Sequence, residues 1–432
     1  MFFKCFSRFF SLDFVVDEVH FRRLRKWSLE DYIVFILTQK SCTNQIDVNS
    51  YLRLSNRKIG SITSQAVGKQ RQYILPDVFT CMSNEFVDHI YQDFPCLFNT
   101  RGYLVVACDG SQIDLPNHPQ VRQEFNLFKH FWKDSLTRGR ISCLLDVKSQ
   151  FIMTSIIEDI TVSEVALAIR HLDALNERYD MKKVITIYDR GYASMELVTK
   201  SLMMDTKFLI RLPKNVLKYE RNKMKTNDEI VPIKMNAKRY KEFNHPELKE
   251  YAEKAVKYNL RIAIVDIGNK NEKEILLTNL HHEEFSTEDL KELYGQRWRV
   301  ETGYNDLKNK IQIEEFAGRR KTIIEQDFYA KIFIYNLAIA IKITGNKQIK
   351  RKTRNNKQKI NYLSNLAIII GNIYQNLYYL ITQPRKQKEE EINNLIKEAA
   401  KRITQKKEEY QNTERKTPDA SNKHPGNIKR TH

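Results

Sequence analysis

The chain is poor in the residues that would make it a metal-thiolate or disulfide protein. Its six cysteines, Cys5, Cys42, Cys81, Cys96, Cys108 and Cys143, are scattered without a CxxC pair, and no His or Cys cluster accompanies them. Neither a zinc site nor a disulfide framework is indicated, and a reducing cytosol suits such a set. No small-residue cleavage site follows the aromatic opening MFFKCFSRFFSLDF, which Lys4, Arg8 and Asp13 interrupt. A secretory leader is therefore not expected there. The longest apolar stretches elsewhere, Ile332 to Ile341 and Leu366 to Ile370, fall short of the about 20 residues that a membrane-spanning helix needs. No membrane partner is expected. The chain also lacks an internal repeat.

Acidic residues are in deficit. Lys and Arg total 72 against 53 Asp and Glu, a formal charge of +19. That balance suits a polyanionic partner such as nucleic acid, with a merely basic soluble protein as the plain alternative. Hydrophobic residues make up 41% and charged residues 29% of the 432, so the bulk is globular and long enough for two or three domains.

Residues 15 to 100 read as helices joined by polar turns, with apolar residues at helical spacing in LEDYIVFILTQK. The stretch holding Ser64, Gln65, Lys69 and Arg71 precedes Pro76, which can start the next helix. A basic helix pair of this kind suits DNA, and an ordinary helical hairpin explains it equally well.

From Tyr103 the pattern turns to short apolar runs, YLVVACD, ISCLLDV and FIMTSIIE, then a helical VSEVALAIRHLDALNERY, then VITIYD. Hairpin strands, a helix and a further buried strand indicate an α/β domain. FLIRLP is a further strand. Residues 211 to 241 then carry ten basic and three acidic side chains, and with RIAIVDIG and EILLTNL they read as a strand-rich insertion with a positive face. A solvated lysine-rich loop is the alternative. A long helix follows from Ser286 or Thr287, with Asp289 completing a capping box, and runs to near Ile311. Residues 347 to 359 hold seven basic and no acidic residues, and beyond Gln383 the composition is that of a disordered tail.

Two carboxylates sit where strands end. Asp109 closes YLVVACD before Gly110 and Ser111; Asp189 closes VITIYD before Arg190 and Gly191. Ligands of open α/β sheets lie outside the carboxyl ends of strands, although Asp-Gly is also ordinary turn chemistry. In LKELYGQRWRVETGYNDLKNKI, Tyr294, Arg297, Glu301 and Lys308 share one side of the expected long helix, within roughly 60° of one another at the helical repeat. Leu290, Leu293, Tyr304 and Ile311 form an adjacent stripe that docks it. A surface ion pair of Arg297 with Glu301 accounts for those charges but leaves the two aspartates unconnected. Trp298 reads as core packing.

The set DGS at 109 to 111, DRGY at 189 to 192 and Y-x2-R-x3-E-x6-K at 294 to 308 resembles the DDE transposases of bacterial insertion sequences, in the cut-and-paste group marked by that tetrad. The likeness runs over about residues 100 to 345. It implies an RNase H-like α/β catalytic core over 101–345 with a β-rich insertion at about 208–282. The core would be flanked by a helical DNA-binding region at 1–100, a basic helical region at 346–382 and a charged tail, expected to be disordered, at 383–432. By the same resemblance Asp109, Asp189 and Glu301 are the catalytic acids. They would hold two Mg²⁺ ions, with Mn²⁺ as a substitute, while Tyr294, Arg297, Lys308 and, beside the second acid, Arg190 contact DNA phosphate. The implied partners are the element's terminal inverted repeats, target DNA and a second copy of the chain, at the nucleoid of a bacterial cytoplasm. A nuclease or resolvase that cuts without joining, and a domesticated protein that binds DNA without cutting, are the rival readings.

Overall fold

The computed structural model describes residues 2–17, 19–22, 26–40, 43–56, 61–95, 100–125, 127–129, 135–266, 273–353 and 362–405. Its centre is a mixed sheet made from the apolar runs. The strands are β1 (Leu104–Asp114), β2 (Leu127–Lys129), β3 (Ser135–Asp146), β4 (Ile152–Asp159), β5 (Val184–Tyr188), β6 (Lys207–Leu212), β7 (Asp228–Lys234), β8 (Lys257–Asp266) and β9 (Lys273–Thr278). They lie in the order β2-β3-β1-β5-β6-β9-β8-β7, with β4 on the other side of β3. The trio β1, β5 and β6 is parallel and every other pairing is antiparallel. All five residues of β5 are buried, as expected of a central strand covered on both faces.

The insertion is part of this sheet. Strand β9 pairs along β6 from Leu209↔Thr278 to Leu212↔Ile275, and β8 and β7 continue outward from it. The apolar Ile275, Leu276 and Leu277 are buried at that seam, so the β-rich segment extends the core it was expected to interrupt.

Helices from both ends of the chain close over the sheet. The N-terminal set comprises α1 (Leu29–Thr38), α2 (Asn44–Leu54), α3 (Ser64–Arg71) and α4 (Asp77–Asp93). Ser28 and Asp31 form a capping box on α1, and Pro76 stands at the N-cap of α4. Two helices, α5 (Glu164–Asn176) and α6 (Met195–Met203), lead into β5 and β6.

The long helix expected from Ser286 to Ile311 is two helices, α7 (Thr287–Gly295) and α8 (Trp298–Asn309). The capping box of Ser286 and Asp289 is present. At the junction the amides of Arg297, Arg299 and Val300 bond to carbonyls three residues back, at 3.0–3.1 Å. This tighter winding breaks the helix just after Gly295. The stripe of Leu290, Leu293, Tyr304 and Ile311 is nevertheless buried throughout.

A 33-residue helix, α9 (Lys321–Thr353), runs through the interior against α4. It is the one helix among the described residues long and apolar enough to cross a membrane, and two-thirds of its apolar window is buried within the protein. Beyond it α10 (Leu366–Thr382) and α11 (Arg385–Lys401) pack on α9, and Ile403–Gln405 pairs with Tyr362–Ser364. Residues 385–405 were expected to be disordered; instead Leu395, Ala399 and Ala400 are buried. Three small or apolar residues at helical spacing suffice to dock a highly charged helix. Residues 354–361 of the basic stretch and 406–432 of the tail lie outside the described residues.

Arg71, on a stretch whose sequence suited DNA and an ordinary helical hairpin equally, points inward and is 2% exposed. It bonds to Asp327 at 2.7 Å, Gln326 at 2.8 Å and Gln39 at 2.9 Å, stapling α3 to α9. Removing one partner of a buried ion pair strands the other. Arg71→Ala is therefore expected to lower stability by about 3–5 kcal/mol, read from urea unfolding, and Arg71→Ala,Asp327→Ala together by less than the sum of the two single changes.

Candidate active site

Strand order decides where the acids meet. Because β1 and β5 are parallel neighbours, with Cys108↔Tyr188 as their last paired residues, Asp109 and Asp189 come side by side just past that pairing. Asp189 follows the end of β5, whereas Asp109, expected to close its strand, lies within β1, which runs on to Asp114 paired with β3. Asp109 Oδ1 accepts the Gly110 amide at 2.9 Å. Helix α8 lies over β1 and β3 and brings Glu301 to the same edge; Gly303 permits this approach, since a Cβ there would come within 2.8 Å of Leu145.

Arg297 sits between the acids. Its Nη2 donates to Glu301 Oε1 at 2.9 Å, and its Nη1 lies 3.9 Å from Asp109 Oδ2. Asp189 accepts a hydrogen bond from the Tyr294 hydroxyl at 3.0 Å and has Arg211 Nη1 at 3.7 Å. Burial raises the Asp189 pKa, but the Arg190 amide, Arg297, Tyr294 and Arg211 outweigh it and hold the carboxyl below its ordinary value. Asp109 goes the other way. Burial, aided by the negative Glu301 and Glu164, pushes it up to about 6 despite the Gly110 amide and Arg297. Two neighbouring aspartates are thereby set to different proton affinities.

Of the seven residues singled out in the sequence, five converge here: Asp109, Asp189, Glu301, Tyr294 and Arg297. The helix break places Tyr294 on α7 and Arg297 at the N-cap of α8, so two elements deliver the tetrad. Tyr294 is 7% exposed and its hydroxyl is given to Asp189. Lys308 lies further along β1, donating to the Gln112 carbonyl at 2.7 Å, and Arg190 is exposed beside Asp189. Trp298 is 49% exposed, contrary to the expected core packing. It starts α8 on the side away from Val300, Tyr304 and Leu307, which are the buried face.

Three neighbours were not read from the sequence. Glu164, at the start of α5, pairs with Arg140 at 3.0 Å and lies so close to the first acid that a Cβ at Gly110 would come within 2.8 Å of its Oε1. Arg211 bridges Asp189 and Glu274; in the sequence it was one of ten cations in a basic run. Tyr304 donates its hydroxyl to the Asp109 carbonyl at 2.6 Å, although it was read as packing only. No spacing rule could have found the first two, because both depend on strand order.

The donors are carboxylates, which suit hard divalent cations. A single cationic group, the Arg297 guanidinium, already reaches two of the three. As the side chains stand, no three Asp, Glu, His or Cys among the described residues are gathered closely enough to share one ion.

Residues 100–337 match the family described as Transposase DDE domain, which spans more than half of the chain and all three acids. The chain belongs to that family. The chain is similar to the transposase InsG for insertion sequence element IS4 of Escherichia coli (strain K12), with 23% identity over 242 residues, covering 55% of this chain and 51% of that protein. The chain thus spans about half the length of the relative it matches. Among solved structures it is similar to a piggyBac transposase synaptic complex with hairpin DNA, at a TM-score of 0.41 and 11% identity, covering 90% of this chain and 84% of that one. It is also similar to a Mos1 transposase paired-end complex with left transposon end, at a TM-score of 0.18 and 14% identity, covering 47% and 64%. Both likenesses are distant, and membership rests on the family match.

Because the DDE domain raises the pKa of Asp109 above the value near 4 of an unfolded chain, ionised Asp109 costs stability at neutral pH. The cost is full above about pH 6 and disappears as pH falls towards 4. Asp109→Asn should then stabilise the metal-free protein by about 1–3 kcal/mol at pH 8 and give no gain near pH 4, measured by denaturant unfolding in EDTA.

Proposed function

We propose that this protein is a transposase that cuts the ends of an insertion sequence and joins them to target DNA, using an RNase H-like core with Asp109, Asp189 and Glu301 as its catalytic acids. The observation that carries the reading is the placing of Asp109 and Glu301 on one guanidinium, that of Arg297, with Asp189 beside them on the Tyr294 hydroxyl, in a domain of the DDE family.

The acids would hold two divalent ions, Mg²⁺ with Mn²⁺ as substitute, which when bound activate an attacking oxygen and stabilise a leaving one at phosphorus. The protein's own side chains do the rest. Tyr294 and Arg211 fix the Asp189 carboxylate in orientation and keep it ionised. Arg297 offsets the mutual repulsion of Asp109 and Glu301. Its planar fork suits two phosphate oxygens, as does that of Arg190 beside Asp189, whereas Lys308 offers a point charge further along β1. The formal charge of +19 supplies sequence-independent affinity for DNA, which weakens steeply with salt. The partners are the terminal inverted repeats and target DNA, engaged by a dimer in the cytoplasm.

Purified Asp109→Ala, Asp189→Ala and Glu301→Ala proteins are expected to lose strand cleavage on a labelled end-containing DNA while retaining end binding by gel shift. Mg²⁺-dependent cleavage persisting in any one of them overturns the assignment of that acid. Given a pre-cleaved end, the unaltered protein should insert it into plasmid; cutting without insertion would make it a nuclease or resolvase.

A further inference from the structure

We infer that Tyr304 is a positioning residue for the paired acids Asp109 and Glu301, acting through its hydroxyl. The inference rests on the reading of those acids as holders of divalent cations. Tyr304 stands almost one helical turn after Glu301 on α8, and its O–H donates to the backbone carbonyl of Asp109 at 2.6 Å. One hydrogen bond therefore ties the helix bearing the third acid to the strand bearing the first.

The group that is held matters more than the tie. The Asp109 carbonyl and the Gly110 amide belong to one peptide unit, which is planar and rigid. Its N–H is donated to Asp109 Oδ1 at 2.9 Å. Fixing the oxygen of that plane fixes the direction of its N–H, and with it the orientation of the Asp109 carboxylate. Asp109 lies just past the last β1–β5 pair, so β5 no longer constrains the plane and, within the sheet, only the pairing of Asp109 with Cys143 and of Gly110 with Ser142 on β3 does. A second grip comes from Ser142 on β3, whose Oγ reaches the same carbonyl at 3.3 Å and is itself 2.9 Å from the buried His171. Tyr304 makes the shorter bond, and it alone links that plane to the helix of Glu301.

The test is Tyr304→Phe, which keeps the buried ring and removes the donor. Mn²⁺ binding is measured by electron paramagnetic resonance on the DNA-free protein, alongside melting temperature, end binding and Mg²⁺-dependent cleavage. The expected result is Mn²⁺ affinity lower by about tenfold, in the range for lost outer partners of metal ligands, with cleavage reduced and end binding unchanged. Unaltered Mn²⁺ affinity overturns the inference. Arg299→Met removes another bond from α8 to the sheet, Arg299 Nη1 to the Val147 carbonyl at 2.5 Å. If it weakens Mn²⁺ binding equally, the effect is general loosening of the helix and the inference also falls. If Tyr304→Phe melts early, Ser142→Ala replaces it, with a smaller loss of Mn²⁺ affinity expected and none overturning the proposal. Asp109→Asn separates the two levels. If it binds Mn²⁺ like the unaltered protein, the reading of the acids has failed; if it alone loses binding, only the role of Tyr304 has.

Discussion

Repulsion among like charges is the constraint around which this molecule is arranged. Three carboxylates are brought to one sheet edge, each partly withdrawn from water, and carboxylates so placed resist ionising together. The fold meets that resistance locally. Arg297 stands against Glu301 and Asp109, Arg211 against Asp189, and a phenol and two backbone amides complete the set. The compensation is uneven, so Asp109 is left with the higher proton affinity and Asp189 with the lower.

What holds the acids near one another is backbone architecture. Parallel β1 and β5 set two of them side by side, and the close seating of α8 at Gly303 supplies the third. The helices from both ends of the chain then brace this arrangement. Arg71 joins α3 to α9, Asn336 on α9 bonds to Ile152 on β4, and a continuous apolar core runs from the N-terminal helices through the sheet to α10.

Much of this was legible in the sequence. The strand end before Asp189, the apolar stripe and the capping box at Ser286 are local patterns, and local patterns follow directly from side-chain chemistry, whereas Asp109 lies within β1, which continues past the apolar run because β3 pairs with it as far as Asp114. The misreadings share a cause. The break between Tyr294 and Trp298 interrupts hydrogen bonding without interrupting apolar periodicity, so a wheel drawn through Ile311 passes over it. Arg71 and Arg211 looked like free cations because their acidic partners, Asp327, Asp189 and Glu274, lie far away in sequence. Arg385–Lys401 looked disordered because its composition is highly charged, whereas docking requires only a few correctly spaced apolar positions. Glu164 and the hydroxyl of Tyr304 carry no sequence signature, as their meaning comes from which strand lies next to which.

The continuity of the sheet has a mechanical consequence. Strand β9 hydrogen-bonds directly to β6, and β6 to β5, the strand that ends at Asp189. A load applied to the outer strands β7 and β8 is therefore transmitted sideways through successive ladders to Asp189. Swinging that outer wing as a hinged flap would require tearing a ladder, so the wing and the strand that leads to Asp189 move as one plate.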